Sequence, residues 1–168
     1  MHSNLFKMEI KQIKDDKGIV YLLLIDLDEG QVIKVGLTTR PVEERCQEII
    51  TSYWKYTRVF PRLYTKRFRE TDDIYNKEQK ILEYLKEYKY EPKIPMQGRT
   101  EMIKLDLDIA VKVYEDVLNN MPLVTEAEPC SVCGKDKKFL VDGKFVCGHK
   151  CKEPKKRSKK EIPDLDSK

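Results

Sequence analysis

The chain has 168 residues, 40% of them hydrophobic and 37% charged, and carries a formal net charge of +4. That is enough for one domain of ordinary size plus an appendage, with a core beneath a very polar surface. No apolar run approaches the roughly 18 residues of a membrane span and no signal sequence opens the chain, so membrane and secretory classes are set aside and a cytoplasmic protein is expected.

Residues 1–17 read as an N-terminal extension ahead of the first regular element. "GIVYLLLID" (18–26) and "QVIKVGLT" (31–38) are short apolar runs with β-branched members, and the "LDEG" between them is a turn sequence, so they form an antiparallel hairpin. "TTRPVEERCQEII" follows with helix-start signals: Thr38 or Thr39 as N-cap, a proline near the first turn and two early glutamates. Its apolar face is Val42, Cys46, Ile49 and Ile50, and Arg45 adjoins that face. "TRVFPRLYTKRF" (57–68) alternates as a strand does, and Pro61 demotes it to an edge or a bulge. A second helix is marked by Ile74, Ile81, Leu82 and Leu85, with Glu78 on the same stripe. "TEMIKL" is a further strand, and "LDLDIAVKVYEDVLNN" a third helix that Asp106 or Asp108 can cap.

The order hairpin, helix, strand, helix, strand, helix describes an α+β domain: a small antiparallel sheet of three or four strands flanked by helices. It spans residues 17–119, with a linker over 120–129, a cysteine-bearing unit over 130–151 and a basic, disordered tail over 152–168.

The charge is unevenly placed. "KYTRVFPRLYTKRFR" (55–69) carries Lys55, Arg58, Arg62, Lys66, Arg67 and Arg69 with no acid, interleaved with Tyr56, Phe60, Tyr64 and Phe68. The tail adds Lys155, Lys156 and Arg157, and Arg40 stands just before the first helix. Cations displace counterions from a polyphosphate and rings stack on bases, so the expected partner is nucleic acid, DNA first. A solvated strand face with a disordered tail is the plainer alternative.

Cys130, Cys133, Cys147 and Cys151 follow the pattern C-x2-C, thirteen residues, C-x3-C. Two close pairs on turns give zinc its four tetrahedral ligands, and a unit this short needs a metal to be stable. Structural Zn2+ is therefore expected, with His149 as a possible substitute ligand. The fifth cysteine, Cys46, reads as a small core residue. The only histidines are His2 and His149, which leaves the main domain none for base or ligand duty.

Tyr21 on the first strand, Arg45 at the edge of an apolar helix face and Glu78 within one belong together, because charge on a core-facing position is costly unless it is paired, hydrated in a cleft or bound to a metal. Taken singly, each has a bland explanation. Tyr21 can be a core tyrosine, Arg45 can pair with Glu44 or Glu48, Glu78 with a nearby lysine, and Gly36 can mark a bulge.

With "GIVY" at 18–21, "IKVG" at 33–36, Arg45 nine residues past Gly36, and Glu78 on the later helix, the chain resembles the GIY-YIG nuclease superfamily. The likeness is to its phage and bacterial branch with V-Y-x-L and K-I-G-x-T-T motifs, and "GRTEMIKL" looks like that branch's closing strand. The resemblance implies a metal-dependent endonuclease that nicks or cuts DNA. Tyr21 would activate water, Arg45 would stabilise the phosphate's charge and Glu78 would hold one Mg2+ or Mn2+. The second-motif tyrosine is Lys34 here, able to contact phosphate or help activate water, and Leu82 stands where the branch often has a histidine. The zinc unit would aid nucleic-acid binding, the protein acting as a monomer or transient dimer on DNA. By analogy the source is a phage or mobile element, hence host-cell cytoplasm. Two alternatives stay open: a catalytically inactive nucleic-acid-binding protein on the same scaffold, and an adaptor docking through the zinc unit.

Overall fold

The computed structural model describes residues 17–125 and 127–152. The hairpin lies at its centre. β1 (Gly18–Leu27) and β2 (Gly30–Thr38) pair antiparallel without interruption from Ile19↔Thr38 to Leu27↔Gly30. Gly30 takes the turn at φ 105°, a conformation a side chain would strain. Gly36 sits opposite Tyr21 within this unbroken register and is not a bulge.

The third strand and the closing one flank the hairpin. β3 (Arg62–Thr71) lies along β1 and the two-residue β4 (Met102–Ile103) along β2, giving a four-stranded antiparallel sheet in the order β3-β1-β2-β4. β3 is an edge, as Pro61 suggested, although Pro61 itself precedes the strand. A register shift between Leu22 and Leu23 places the irregularity at Lys66. The expected start of this strand at residue 57 gives way to helix. α1 (Val42–Thr57) runs seven residues past the stretch "TTRPVEERCQEII", which ends at Ile50, down to Thr57, and Arg58 ends it in the left-handed conformation. Neither threonine caps it: Pro41 occupies the cap, and the Thr38 hydroxyl instead bonds the backbone of Arg40.

β1 is apolar from Ile19 to Ile25 because helices cover both faces of the sheet. On one face Val20, Leu22, Leu24, Ile33 and Val35 pack under α2 (Ile74–Tyr84) and α3 (Leu107–Leu118), through Ile74, Ile81, Ile109, Val113 and Val117. Tyr114 of α3 is anchored there by donating to the Val20 carbonyl at 2.8 Å. Asp106 caps α3 by accepting from the Asp108 and Ile109 amides. On the other face Tyr21, Leu23, Ile25 and Val32 pack under α1, through Val42, Ile49 and Tyr53. Among the described residues no helix is long and apolar enough to cross a membrane.

The cysteine unit is built from two small hairpins, β5 (Glu128–Pro129) with β6 (Asp136–Lys137) and β7 (Phe139–Val141) with β8 (Lys144–Val146). It packs against the end of α2 and the start of α3. Phe139 is 3% exposed within the larger core cluster, edge-on to Tyr84. The Gly148 amide donates to the Tyr88 hydroxyl at 3.0 Å, and the Gly148 carbonyl accepts from the Asp106 amide at 2.8 Å. A Cβ at Gly148 would lie 2.4 Å from the Tyr88 ring, so only glycine permits this approach.

A buried Phe→Ala truncation removes apolar contacts and leaves a cavity, typically costing about 3–5 kcal/mol. Phe139→Ala is therefore expected to lower the whole chain's unfolding free energy by about 3 kcal/mol, measured by urea denaturation followed by circular dichroism. A loss below about 1 kcal/mol would mean that the cysteine unit is not part of the main core.

Candidate active site

Tyr21, Lys34 and Gly36 reach one cleft from the middle of the hairpin because β1 and β2 side chains alternate faces and Leu23↔Lys34 and Tyr21↔Gly36 are cross-strand pairs. The Tyr21 ring crosses directly over Gly36: a Cβ there would sit 2.3 Å from the Tyr21 hydroxyl. Any side chain at position 36 would expel the ring, which gives the "IKVG" glycine a steric reason. Arg45 comes to the cleft from the first turns of α1, and Tyr75, Glu78 and Gln79 come from α2. Glu101 closes it, having been delivered beside β2 by the pairing Lys34↔Met102. The cleft holds about 310 Å³.

The charges here are unusually deep. Lys34 is 1% exposed and Glu78 is 7% exposed. Lys34 is paired: its ammonium donates to Glu101 at 2.5 Å and to the Gly98 carbonyl at 3.2 Å. Gly98 makes room for it, since a Cβ at that left-handed position (φ 72°) would lie 2.6 Å from the Lys34 nitrogen. Arg45 pairs with Glu48, as the bland reading allowed, and Glu48 is further held by Arg40 at 2.6 Å.

Glu78 is different. It forms no ion pair among the described residues and accepts only a hydrogen bond from Gln79 at 3.3 Å. Burial, reinforced by the nearby Glu101 carboxylate, pushes its carboxyl up from 4.5 to about 7. Two further polar atoms are buried with no hydrogen-bond partner among the described residues, the Tyr21 hydroxyl and the Arg45 Nε. They are near enough for the guanidinium to favour the phenolate, yet the pair does not meet hydrogen-bond geometry and burial prevails: the Tyr21 hydroxyl titrates above its ordinary range. An orphan donor, an orphan hydroxyl and an unneutralised carboxylate in one cleft mark a place that a ligand completes.

Glu101 was not singled out by sequence reasoning although it lies in the quoted "GRTEMIKL"; its signal was its position next to the strand that pairs with Lys34. Tyr75 and Gln79 flank Glu78 in the cleft and had no signal beyond that proximity. Leu82 instead packs partly into the core and lines an adjoining hollow with Gln79 and Glu101.

The expected nucleic-acid contacts scatter. Arg40 pairs with Glu44 and Glu48, and Lys55 lines a groove along α1. Arg58 lies 4.7 Å over the Trp54 ring, and Lys66 lies 5.0 Å over Tyr64. Arg62 is exposed, while Arg67 is turned to Glu115, as is Arg69. Lys155, Lys156 and Arg157 lie outside the described residues, as does His2.

The four cysteine sulfurs lie within 4.8 Å of one another. Zinc at about 2.3 Å from each of four tetrahedral sulfurs places them about 3.8 Å apart, and the Cys133 and Cys147 sulfurs are 3.8 Å apart. Each knuckle is closed by a left-handed residue: Gly134 (φ 72°), whose amide bonds the Cys130 carbonyl, and Lys150 (φ 47°), whose amide bonds the Cys147 carbonyl. The group can hold a structural zinc ion. His149 does not join it, and its ring packs 5.3 Å from Tyr88.

Among known families, the T5orf172 domain matches residues 18–119. That domain is associated with nuclease-like proteins. No curated protein and no solved structure matches the chain.

Because the Glu78 carboxyl holds its proton to about pH 7 when folded and only to about 4.5 when unfolded, the folded state binds more protons between those values. Stability therefore falls as pH rises from 4.5 through 7, by about 3 kcal/mol from this group. Glu78→Gln, neutral at every pH, should remove that fall and be the more stable variant at pH 8 in chemical denaturation without added divalent cation. A wild-type-minus-variant difference that does not change with pH would contradict it.

Proposed function

The chain belongs to the T5orf172 domain family, and from that premise we propose that it is a metal-dependent endonuclease of the GIY-YIG type that hydrolyses phosphodiester bonds of DNA. The reading is carried above all by one observation: three groups line the same cleft with polar capacity left over, Glu78 with no ion pair among the described residues and only Gln79 as hydrogen-bond donor, and the Tyr21 hydroxyl and the Arg45 Nε with no hydrogen-bond partner there, although Arg45 pairs with Glu48 through its other nitrogen.

The residues fit a hard divalent cation. Glu78 offers a lone, dehydrated carboxylate, and Mg2+ takes one or two carboxylates while keeping waters and substrate oxygens. When bound, the cation supplies Lewis-acid neutralisation of the phosphate. Arg45 places a guanidinium against the same phosphate, stabilising charge as it develops, with Glu48 fixing its orientation. The Tyr21 hydroxyl stays protonated at neutral pH because burial raises it, so it acts by accepting a hydrogen bond from the attacking water and aiming it, in a position fixed by the ring's seat on Gly36. Lys34, held by Glu101 and the Gly98 carbonyl, is a fixed cation beneath the cleft that favours a phosphate entering it. The match of motif order to the phage and bacterial branch supports the same assignment.

The domain division read from the sequence also enters as a proposal: a nuclease domain over 17–119 and a zinc unit over 130–151 that adds phosphate contacts through its lysines and the basic tail. One cleft cuts one strand, so a double-strand break needs two copies meeting on DNA or two successive events.

In a plasmid-nicking assay with Mg2+ or Mn2+, wild type should convert supercoiled to nicked circles. Glu78→Ala and Arg45→Ala, each checked for folding by circular dichroism, should lose roughly 10²–10³-fold or more in rate, and Tyr21→Phe should lose rate while keeping DNA affinity. Absence of cleavage by wild type on plasmid, single-stranded DNA and RNA, with binding intact, would replace this reading with that of a binding protein on the same scaffold.

A further inference from the structure

The corner where α1 runs into β3 carries a cluster that the cleft does not use. Phe60 stacks on Trp54 with ring centroids 6.0 Å apart and planes 16° from parallel, and the Arg58 guanidinium lies 4.7 Å from the centre of the Trp54 ring. The outer side of this stack is bare: Phe60 is 68% exposed, and Val59, next to it in the chain, is 49% exposed. Buried ring stacks are common in cores; an exposed one ending in an open aromatic face is not needed for packing.

The cluster is also built to keep its shape. Arg58 holds a left-handed backbone (φ 59°), which costs an L-residue roughly 1 kcal/mol or more. The strained turn is pinned by the Thr57 hydroxyl, which donates to the Tyr53 carbonyl at 3.0 Å and accepts from the Val59 amide at 3.1 Å. The Arg58 amide closes the helix onto the Trp54 carbonyl at 2.8 Å. Rings fixed in advance lose little freedom on binding.

Its surroundings are cationic. Residues 52–62 contain Lys55, Arg58 and Arg62 and no acid; the carboxylates that approach are Asp26, opposite Arg62 and engaged by Gln31, and Asp28 and Glu29 on the Tyr53 side of the helix. A second copy of the chain would bring like charges together here, whereas a polyanion fits. A groove of about 470 Å³ runs along α1 from Glu44 and Glu48, both paired with Arg40, past Thr51 and Ser52 to Lys55, next in sequence to Trp54. Nine residues of helix separate Arg45 from Trp54, about 13 Å along the axis and half a turn around it, so a strand leaving the cleft reaches the stack by following the groove around the helix, a path of a few nucleotides.

We propose that Trp54, Arg58 and Phe60 form a base-stacking platform that receives unpaired nucleotides a few positions from the scissile phosphate, so that the substrate is single-stranded or carries a single-stranded segment beside the cut. The inference rests on the nucleic-acid reading given above. A duplex keeps its base faces stacked inside and presents only groove edges and phosphates, so an exposed ring face gains nothing from it; an unpaired base of any sequence has a face to offer.

Trp54 is the only tryptophan in the chain, so its fluorescence reports on this corner alone. The full chain in a Glu78→Gln background, which keeps the strand intact, is titrated with a twelve-nucleotide thymidine oligomer and with a blunt duplex of the same length. The single strand should quench Trp54 and bind more tightly. Phe60→Ala, at an exposed position that folding tolerates, should weaken single-strand binding about tenfold and leave duplex binding unchanged. Phe60→Tyr should restore it. Single-strand binding that is insensitive to Phe60→Ala, or quenching equal for strand and duplex, overturns the platform while leaving cleavage to be judged by the nicking assay. If no nucleic acid binds but a protein partner protects the corner, both the platform and the reading beneath it fall.

Discussion

The passage of the Tyr21 ring over Gly36 is the constraint on which the rest of the site depends. With the ring seated there, the hairpin register allows no alternative: Lys34 must stand opposite Leu23 on the same face, and β4 must bring Glu101 alongside it. α1 and α2 then close from opposite sides of the sheet, each presenting one charged residue at the rim of an apolar face, Arg45 and Glu78. A single methyl group at position 36 would break this chain of consequences at its first link.

The cleft is electrostatically unfinished. Lys34 has its counterion, and Arg45 has Glu48 on one side, but Glu78 has no ion pair among the described residues, and burial outweighs the pull of Lys34 and Arg45 to hold its carboxyl near 7. Such an arrangement costs folding stability, since Gln79, Lys34 and Arg45 return only part of the energy of removing a carboxylate from water. On the proposed reading that cost has a purpose: a divalent cation and a phosphate supply the missing charges, and the site is already oriented when they arrive. Around it, the cysteine unit is bonded to the end of α2 through Tyr84 and to the turn that follows through Tyr88, so a metal held by the four sulfurs would brace the helix that carries Glu78.

Much of this was legible in the sequence, for physical reasons that differ by element. The hairpin, the Glu78 helix and the third helix announce themselves because their apolar periods match their geometry, and Asp106 caps where it was expected. The inward position of Glu78 could be read from its stripe. The end of α1 could not: Thr57, Arg58 and Val59 have the β-favouring and charged character of a strand entrance, and here the Thr57 hydroxyl instead bonds the Tyr53 carbonyl behind it and the Val59 amide ahead, where the helix ends and the chain turns. Nor could the cap, since Thr38 was drawn away to the Arg40 backbone. Glu101 escaped notice because its role is set by a sheet pairing sixty-seven residues away, with Lys34, which no local pattern encodes. The docking of Phe139 beside Tyr84 and Tyr88 is hidden for the same reason.

The central claim is that the buried Glu78 carboxylate awaits a divalent cation, and the most direct test is to count bound Mn2+ by electron paramagnetic resonance on zinc-loaded protein at pH 8. Wild type should bind one Mn2+ per chain, more weakly at pH 6 because the ion must displace the Glu78 proton, and Glu78→Gln should bind none with its zinc content unchanged. Equal Mn2+ binding by the two proteins, or none by either in the presence of a DNA oligonucleotide, would contradict the account.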